Sequence, residues 1–354
     1  MPQSIWSEFA PTAPDSWMQQ ARQELNGENP FEKLKIAKGN ITIQPYYHQV
    51  VPAASRYALP ESAEPFLGAR GWANCPPVWV RDEAHANEKA LHHLNNGADG
   101  VFFRLEKGST DVSRLLRNIE LPYCSVYFSG EVTPGFLENF GKHCQQQSNQ
   151  KKQGACFASE PLRANSIISI PGFHSLGITV KEYSTTEETI AQALAAMVRA
   201  VESRSGKTPP PAIVENIAFS VSVHTDFFQE IAKLKSLRAL YRLVASAYGS
   251  AAQAHVHVTS AAYQKAVFDP HSNLLKSTTA GLSAVLGGCD ALTVEPADLN
   301  DSKLERLARN LSCVLREESQ LHHVADPTAG SYYLDALVDE LNEKAWTLFN
   351  TLVA

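Results

Sequence analysis

From Pro77 onward the chain alternates between short apolar runs and longer helix-like stretches, and this rhythm constrains the fold more than any other feature. Strand-like runs fall at 78–80, 100–105, 124–128, 154–158, 167–170, 217–223, 255–259 and 291–294. Helical segments lie between and after them at 86–95, 112–119, 134–147, 187–202, 227–248, 273–286 and 302–318. Most runs are apolar on both faces, which predicts parallel strands covered on both sides by crossover helices. Eight such runs in series predict an α/β fold of the TIM (β/α)8 barrel type, which typically takes about 250 residues. The 354-residue chain is long enough for one such barrel plus an extension. A doubly wound open sheet would call for a Gly-rich phosphate loop after the first strand, and the sequence has none.

The extension is N-terminal, which divides the chain into an arm over 1–65 and a barrel over 66–354. Ser16 is placed to cap a helix over 17–25 that stops at Gly27, and 41–47 reads as a short edge strand cut off by Pro45. The arm is rich in aromatic residues (Trp6, Phe9, Trp17, Phe31, Tyr46, Tyr47) but too short to bury them itself, so it is read as interface-forming. A last helix over 332–353 carries an apolar face of Leu334, Leu337, Leu341, Ala345, Leu348 and Leu352.

Composition narrows the partners. A net charge of −6 is too mildly acidic for a surface that captures nucleic acid by charge. No stretch reaches the ~18 apolar residues of a membrane helix, and the start lacks a secretory signal, so a cytoplasmic protein is expected. The six cysteines show no C-x-x-C or zinc-finger spacing, which predicts reduced thiols and no bound metal.

In a barrel, chemistry gathers at the C-terminal ends of the strands. There the sequence offers His174 after Pro171-Gly172-Phe173, then His224-Thr225-Asp226, His255-Val256-His257-Val258-Thr259-Ser260 and Glu295-Pro296-Ala297-Asp298. His255 and His257 share one strand face, so with His174 or His224 and Asp226 they could hold a hydrolytic metal. The competing reading, which we favour, is a barrel interior filled by hydrogen-bonded His, Thr and Ser. His174 could serve as a general acid or donate to a substrate carbonyl, or it could be a structural histidine. Neither a G-x-S-x-G elbow nor an H-E-x-x-H or Walker pattern is present.

Four segments carry a resemblance that covers nearly the whole chain. They are Phe9-Ala10-Pro11 with Pro45-Tyr46-Tyr47 in the arm, the helix from Phe227-Phe228-Gln229-Glu230 through Lys235 to Arg238, and Asp326-Pro327-Thr328-Ala329-Gly330-Ser331-Tyr332-Tyr333. Together they resemble the barrel part of methylmalonyl-CoA mutases, most closely the small, non-catalytic subunit of bacterial heterodimers. The resemblance implies a cobalamin-dependent isomerisation between methylmalonyl-CoA and succinyl-CoA, carried out by a complex with a large catalytic subunit. In the catalytic subunit, the family's acyl-CoA threads the barrel axis below adenosylcobalamin, which a separate domain holds through D-x-H-x-x-G.

Carried over residue by residue, the match is mixed. His174 corresponds to a histidine that contacts the thioester, but its tyrosine neighbour is replaced by Phe173. Thr259 and Ser260 survive from the substrate-contacting strand, while its Arg and Gln positions read Ala254 and Val258. No tyrosine follows Arg81 closely, and no arginine counterpart for the substrate carboxylate stands out in 156–166. Asp269-Pro270-His271 continues with Ser272-Asn273-Leu274, so D-x-H-x-x-G is absent. The resemblance therefore implies a chain that binds no cobalamin itself. Its His174 is a vestigial catalytic position, and His174, Thr259 and Ser260 are at most residual substrate contacts. Its length accommodates the arm and one barrel. A homodimer when isolated is the alternative to the heterodimer, and a diverged acyl-CoA-binding or metal-dependent barrel is the alternative function.

Overall fold

The computed structural model describes residues 13–48, 57–61, 67–147, 153–159, 170–261 and 272–354. Among the described residues the arm begins with α1 (Pro14–Glu24), which Ala13 and Pro14 start, so Ser16 lies inside the helix rather than capping it. Proline at the first helical position needs no N–H partner and has its φ already set, which makes a capping hydroxyl dispensable. A short α2 (Pro30–Lys33) leads to an antiparallel hairpin of β1 (Ile36–Lys38) and β2 (Ile41–Ile43).

The barrel begins with β3 (Ala73–Asn74) and β4 (Pro77–Val80), followed by α3 (Glu83–Leu94), β5 (Gly100–Leu105) and α4 (Val112–Leu115). Next come β6 (Ser125–Gly130), α5 (Pro134–Gln147), β7 (Gly154–Ala158), β8 (Phe173–His174) and β9 (Leu176–Thr179). The second half holds α6 (Thr186–Glu202), α7 (Pro210–Glu215), β10 (Ile217–Val223), α8 (Phe227–Ala247) and β11 (His255–Ser260). It ends with α9 (Ser272–Leu286), β12 (Ala291–Thr293), α10 (Ser302–Cys313) and α11 (Tyr332–Val353).

Hydrogen bonding orders the barrel strands as β4-β5-β6-β7-β8 and β3-β12-β11-β10-β9, all parallel. The two sheets join at both edges. β3 and β4 are halves of one strand broken at Cys75-Pro76, and the ladder continues through the break: Cys75 donates to Leu292 O and Phe102 to Pro76 O. β8 and β9 are likewise separated only by Ser175. Eight strand positions therefore close a ring, the (β/α)8 barrel. Gly154 lets one pair of strands close tightly, since its φ is +137° and a Cβ there would lie 1.7 Å from Val126 O.

One strand differs from the sequence reading. Residues 167–169 lie outside the described residues, Ile170 makes only an isolated bridge to Phe173, and the fifth strand runs through β8 and β9 instead. Pro171-Gly172 looked like a terminator but forms the turn that enters this strand, with Gly172 at φ +80°. His174 therefore sits inside a strand rather than in the loop after one.

Two apolar cores lie outside the ring. One packs α3, α4 and α5 on the β4–β7 side, and the other packs α6, α8, α9 and α11 on the β9–β12 side. The hairpin of the arm rests on the chain's own barrel: Ile41 is buried against Ala232 of α8 and Leu337, Val338 and Leu341 of α11. Asn40 donates to Glu187, Thr42 N–H to Glu340 and Tyr57 Oη to Asp339. Trp17 stacks on Tyr46 at 4.7 Å and meets Phe31 edge-on at 5.5 Å. All six cysteines are free thiols. Among the described residues no helix is long and apolar enough to cross a membrane.

Candidate functional site: the barrel axis

Period two along a strand sends alternate residues into the barrel, so its interior is built in layers. At the lower level His174 of β8 stacks on His255 of β11 with ring centroids 4.5 Å apart, and Tyr127 Oη lies 3.0 Å from His255 Nε2. One step up is His257, ringed by Phe102 at 4.6 Å, Tyr127 at 4.9 Å and Phe157 at 5.6 Å. Its Nε2 is 2.9 Å from Thr293 Oγ1 and its Nδ1 is 3.3 Å from Ser220 Oγ. The Thr293 hydroxyl already donates to Cys75 O at 2.6 Å, so its oxygen accepts from His257. That fixes the neutral tautomer with the proton on Nε2, leaving Nδ1 to accept from Ser220.

The upper level is polar and closed on itself. Arg104 of β5 forms an ion pair with Glu295, with Nη1 3.3 Å from Oε2, and its guanidinium lies 4.4 Å from the centre of the Trp79 ring. Ser260 Oγ accepts the Glu295 N–H at 2.9 Å, and Thr259 Oγ1 sits 3.4 Å from Ser222 Oγ. Burial raises the Glu295 carboxyl, and Arg104 opposes that rise.

The axis is therefore filled. Phe102, Tyr127, Phe157 and His257 are 3%, 1%, 2% and 0% exposed, and with Ala73, Cys75, Ala155, Ala218 and Ala291 the three aromatic rings form a separate interior cluster. The metal reading required groups that the fold keeps apart. His255 and His257 occupy successive layers, His224 is held by Glu182 at 2.5 Å, and Asp226 pairs with Lys38. Among the described residues no group of three or more His, Cys, Asp or Glu side chains could hold a metal ion. The sequence reading missed Phe102, Tyr127, Phe157 and Arg104 as axis residues, because strands apolar on both faces give no sign of which face turns inward.

Burial holds His257 neutral, pushing its pKa down to about 3, with His255 and Arg104 adding to the shift, and burial with Arg309 pushes His93 down to about 4. The unfolded chain takes up these protons near pH 6.5 while the folded chain resists. Stability is then full above pH 6.5 and falls as the pH drops toward these values, by up to about 1.4 kcal/mol per pH unit for each proton. A His257→Gln variant is expected to lose less stability than the parent between pH 7 and pH 4.5, measured by urea denaturation. Equal losses would contradict a buried neutral imidazole.

Below the axis, α8 and the loop before α11 are tied together. Lys235 Nζ meets Asp326 Oδ2 at 2.6 Å with both side chains almost fully buried, and Asp326 also accepts from Leu59 N–H and from Thr328. Arg238 spans three backbone and side-chain acceptors: Ala254 O at 2.8 Å, Gly288 O, and Asp290 Oδ2 at 2.6 Å.

Residues 149–354 match the methylmalonyl-CoA mutase family. The methylmalonyl-CoA mutase small subunit of Porphyromonas gingivalis is 29% identical over 98% of this chain, which spans 64% of that protein's length. The Streptomyces virginiae small subunit is 26% identical over 99% of this chain, which spans 65% of its length. A methylmalonyl-CoA mutase of Rhizobium meliloti is 31% identical over 56% of this chain and 28% of its own. Among solved structures, dihydropteroate synthase from Thermus thermophilus is similar over 70% of this chain and 95% of its own, at 16% identity and a TM-score of 0.37.

Proposed function

The chain belongs to the methylmalonyl-CoA mutase family, and from that premise we propose that it is a small-subunit-type barrel, catalytically inert by itself, that pairs with a large catalytic chain in the cytoplasm. The methylmalonyl-CoA to succinyl-CoA rearrangement is then a property of the complex. The observation that carries this reading is the filled axis. A thioester threaded through the barrel needs a continuous channel, and here Phe102, Tyr127, Phe157 and His257 occupy it.

Nor do the described residues around the axis fit adenosylcobalamin chemistry. Substrate held beneath that cofactor needs a free cation for its carboxylate, whereas Arg104, an inward cation, is neutralised by Glu295. No step is therefore assigned to the cofactor here. His174, the position matched to a thioester contact, stacks on His255 one layer below Phe157, since its strand partner Ala155 precedes Phe157 by two residues. We read it as vestigial. Thr259 and Ser260 stand nearer the mouth, yet one hydroxyl faces Ser222 and the other accepts from the Glu295 backbone. The diverged acyl-CoA-binding alternative requires an open axis and is the weaker reading for that reason.

The purified chain, given adenosylcobalamin and methylmalonyl-CoA, is expected to form no succinyl-CoA. Co-expressed with a large mutase subunit, it is expected to co-purify in equal amount as an active complex. Turnover by the single chain would overturn the inert assignment, and failure to co-purify would overturn the partnership.

A further inference from the structure

Among the described residues, the barrel floor holds a buried cation, Arg70, beyond those its carboxylates pair with. Arg70 lies in the turn that enters β3 and is only 4% exposed. Its backbone N–H donates to His322 O at 3.0 Å, and three residues on Ala73 N–H donates to Asp290 O at 2.9 Å, so this turn is fixed against the loops before α11 and β12. The Arg70 side chain is not satisfied in the same way. Its Nε and Nη1 have no hydrogen-bond partner, and the Nε of Arg238 is in the same condition.

The acceptors nearby are already engaged. Asp290 Oδ2 takes Arg238 Nη2 at 2.6 Å and Val256 N–H at 2.7 Å, while Asp326 is closed by Lys235. Among the described residues, Arg70, Lys235 and Arg238 thus stand with the carboxylates of Asp290 and Asp326, which leaves one positive charge unmatched there. Burial, and then the neighbouring Arg238, push the Arg70 guanidinium below its usual pKa. Unpaired donors on a buried cation are rare in folded proteins because nothing offsets their lost hydration.

We propose that Arg70, together with the Nε of Arg238, forms a buried binding site for a small monovalent inorganic anion of the halide type. The donors are all N–H groups, which suits a halide. One unmatched charge calls for a monovalent ion, and the nearby carboxylates of Asp290 and Asp326 disfavour a dianion. Trp72, at the end of the same turn, and Cys289 are fully buried, so the Arg70 donors lie away from bulk solvent, which suits a small ion. The ion neutralises the floor and couples the turn before β3 to α8. This site is separate from the axis and does not depend on the family reading.

The test uses the full chain and bromide as the probe. Changing sodium gluconate for sodium bromide at equal ionic strength is expected to raise the Tm by about 3 °C or more, as a ligand bound only by the folded state must. Crystals grown in bromide are expected to show an anomalous peak within hydrogen-bonding distance of Arg70 Nε or Nη1. In Arg70→Met the Tm response should vanish. A response unchanged in that variant would mean an adventitious ion only and would overturn the site. So would a bromide map with no peak beside Arg70, which decides the matter even if the variant does not fold.

Discussion

Lys235→Met is expected to lower stability at pH 7 by about 3–5 kcal/mol, the usual effect of removing one partner from a buried ion pair. Lys235 and Asp326 are 2% and 3% exposed at the side chain, so losing the ammonium strands a carboxylate that water cannot reach. Asp326 would keep its bonds from Leu59 and Thr328, but these donors do not carry a full opposite charge. Burial raises the Asp326 carboxyl, and the Lys235 and Thr328 hydrogen bonds more than reverse that, holding it below its usual value. The parent therefore gains stability above the unfolded carboxyl's pKa and loses it as the pH falls. In Lys235→Met the sign reverses, because the stranded carboxyl prefers its proton, and the variant should recover stability on acidification. Adding Asp326→Leu should restore most of the loss at pH 7. Urea denaturation decides it: a loss below about 1 kcal/mol in the single variant would make this pair no stronger than an exposed pair such as Lys33 with Glu28.

This pair also marks how far the sequence could be read. The runs at 100–105, 154–158 and 217–223 and the helices at 134–147 and 332–353 were legible to the residue, because local periodicity determines them. Lys235 and Asp326 were visible only as letters in two resembling segments. Their partnership spans 91 residues of chain, and no periodicity reports a contact at that separation. The same holds for Arg104 and Glu295, which lie 191 residues apart. The fifth strand was misplaced for a local reason: Pro171-Gly172 carries the same turn signal whether a strand ends before it or begins after it. The axis residues were hidden by composition. Phe102 and Phe103 are adjacent and equally apolar, yet one enters the barrel interior and the other the outer core. Only ring closure assigns the faces, and ring closure depends on strands more than 200 residues apart, as the Cys75 to Thr293 bond illustrates.

The same closure sets the expected result of hollowing the axis. Phe157→Ala removes a ring that touches His257 and is 2% exposed, and core Phe→Ala changes typically destabilise by about 3–5 kcal/mol. The upper part of that range is expected here, because the loss depends on how far the surroundings collapse into the gap. The wall around Phe157 has little freedom to do so. β7 is hydrogen-bonded in register to β6 and β8, and where it enters the barrel a Cβ at Gly154 would already collide with Val126 O. Phe157→Leu keeps most of the volume and should lose on the order of 1 kcal/mol. The pair of variants therefore separates packing from any effect of aromaticity at His257. Neither should gain mutase turnover, since opening one layer leaves Tyr127, Phe102 and the Arg104–Glu295 pair across the axis. A Phe157→Ala variant as stable as the parent would mean that the ring does not pack the axis, and the case for a filled scaffold would fall with it.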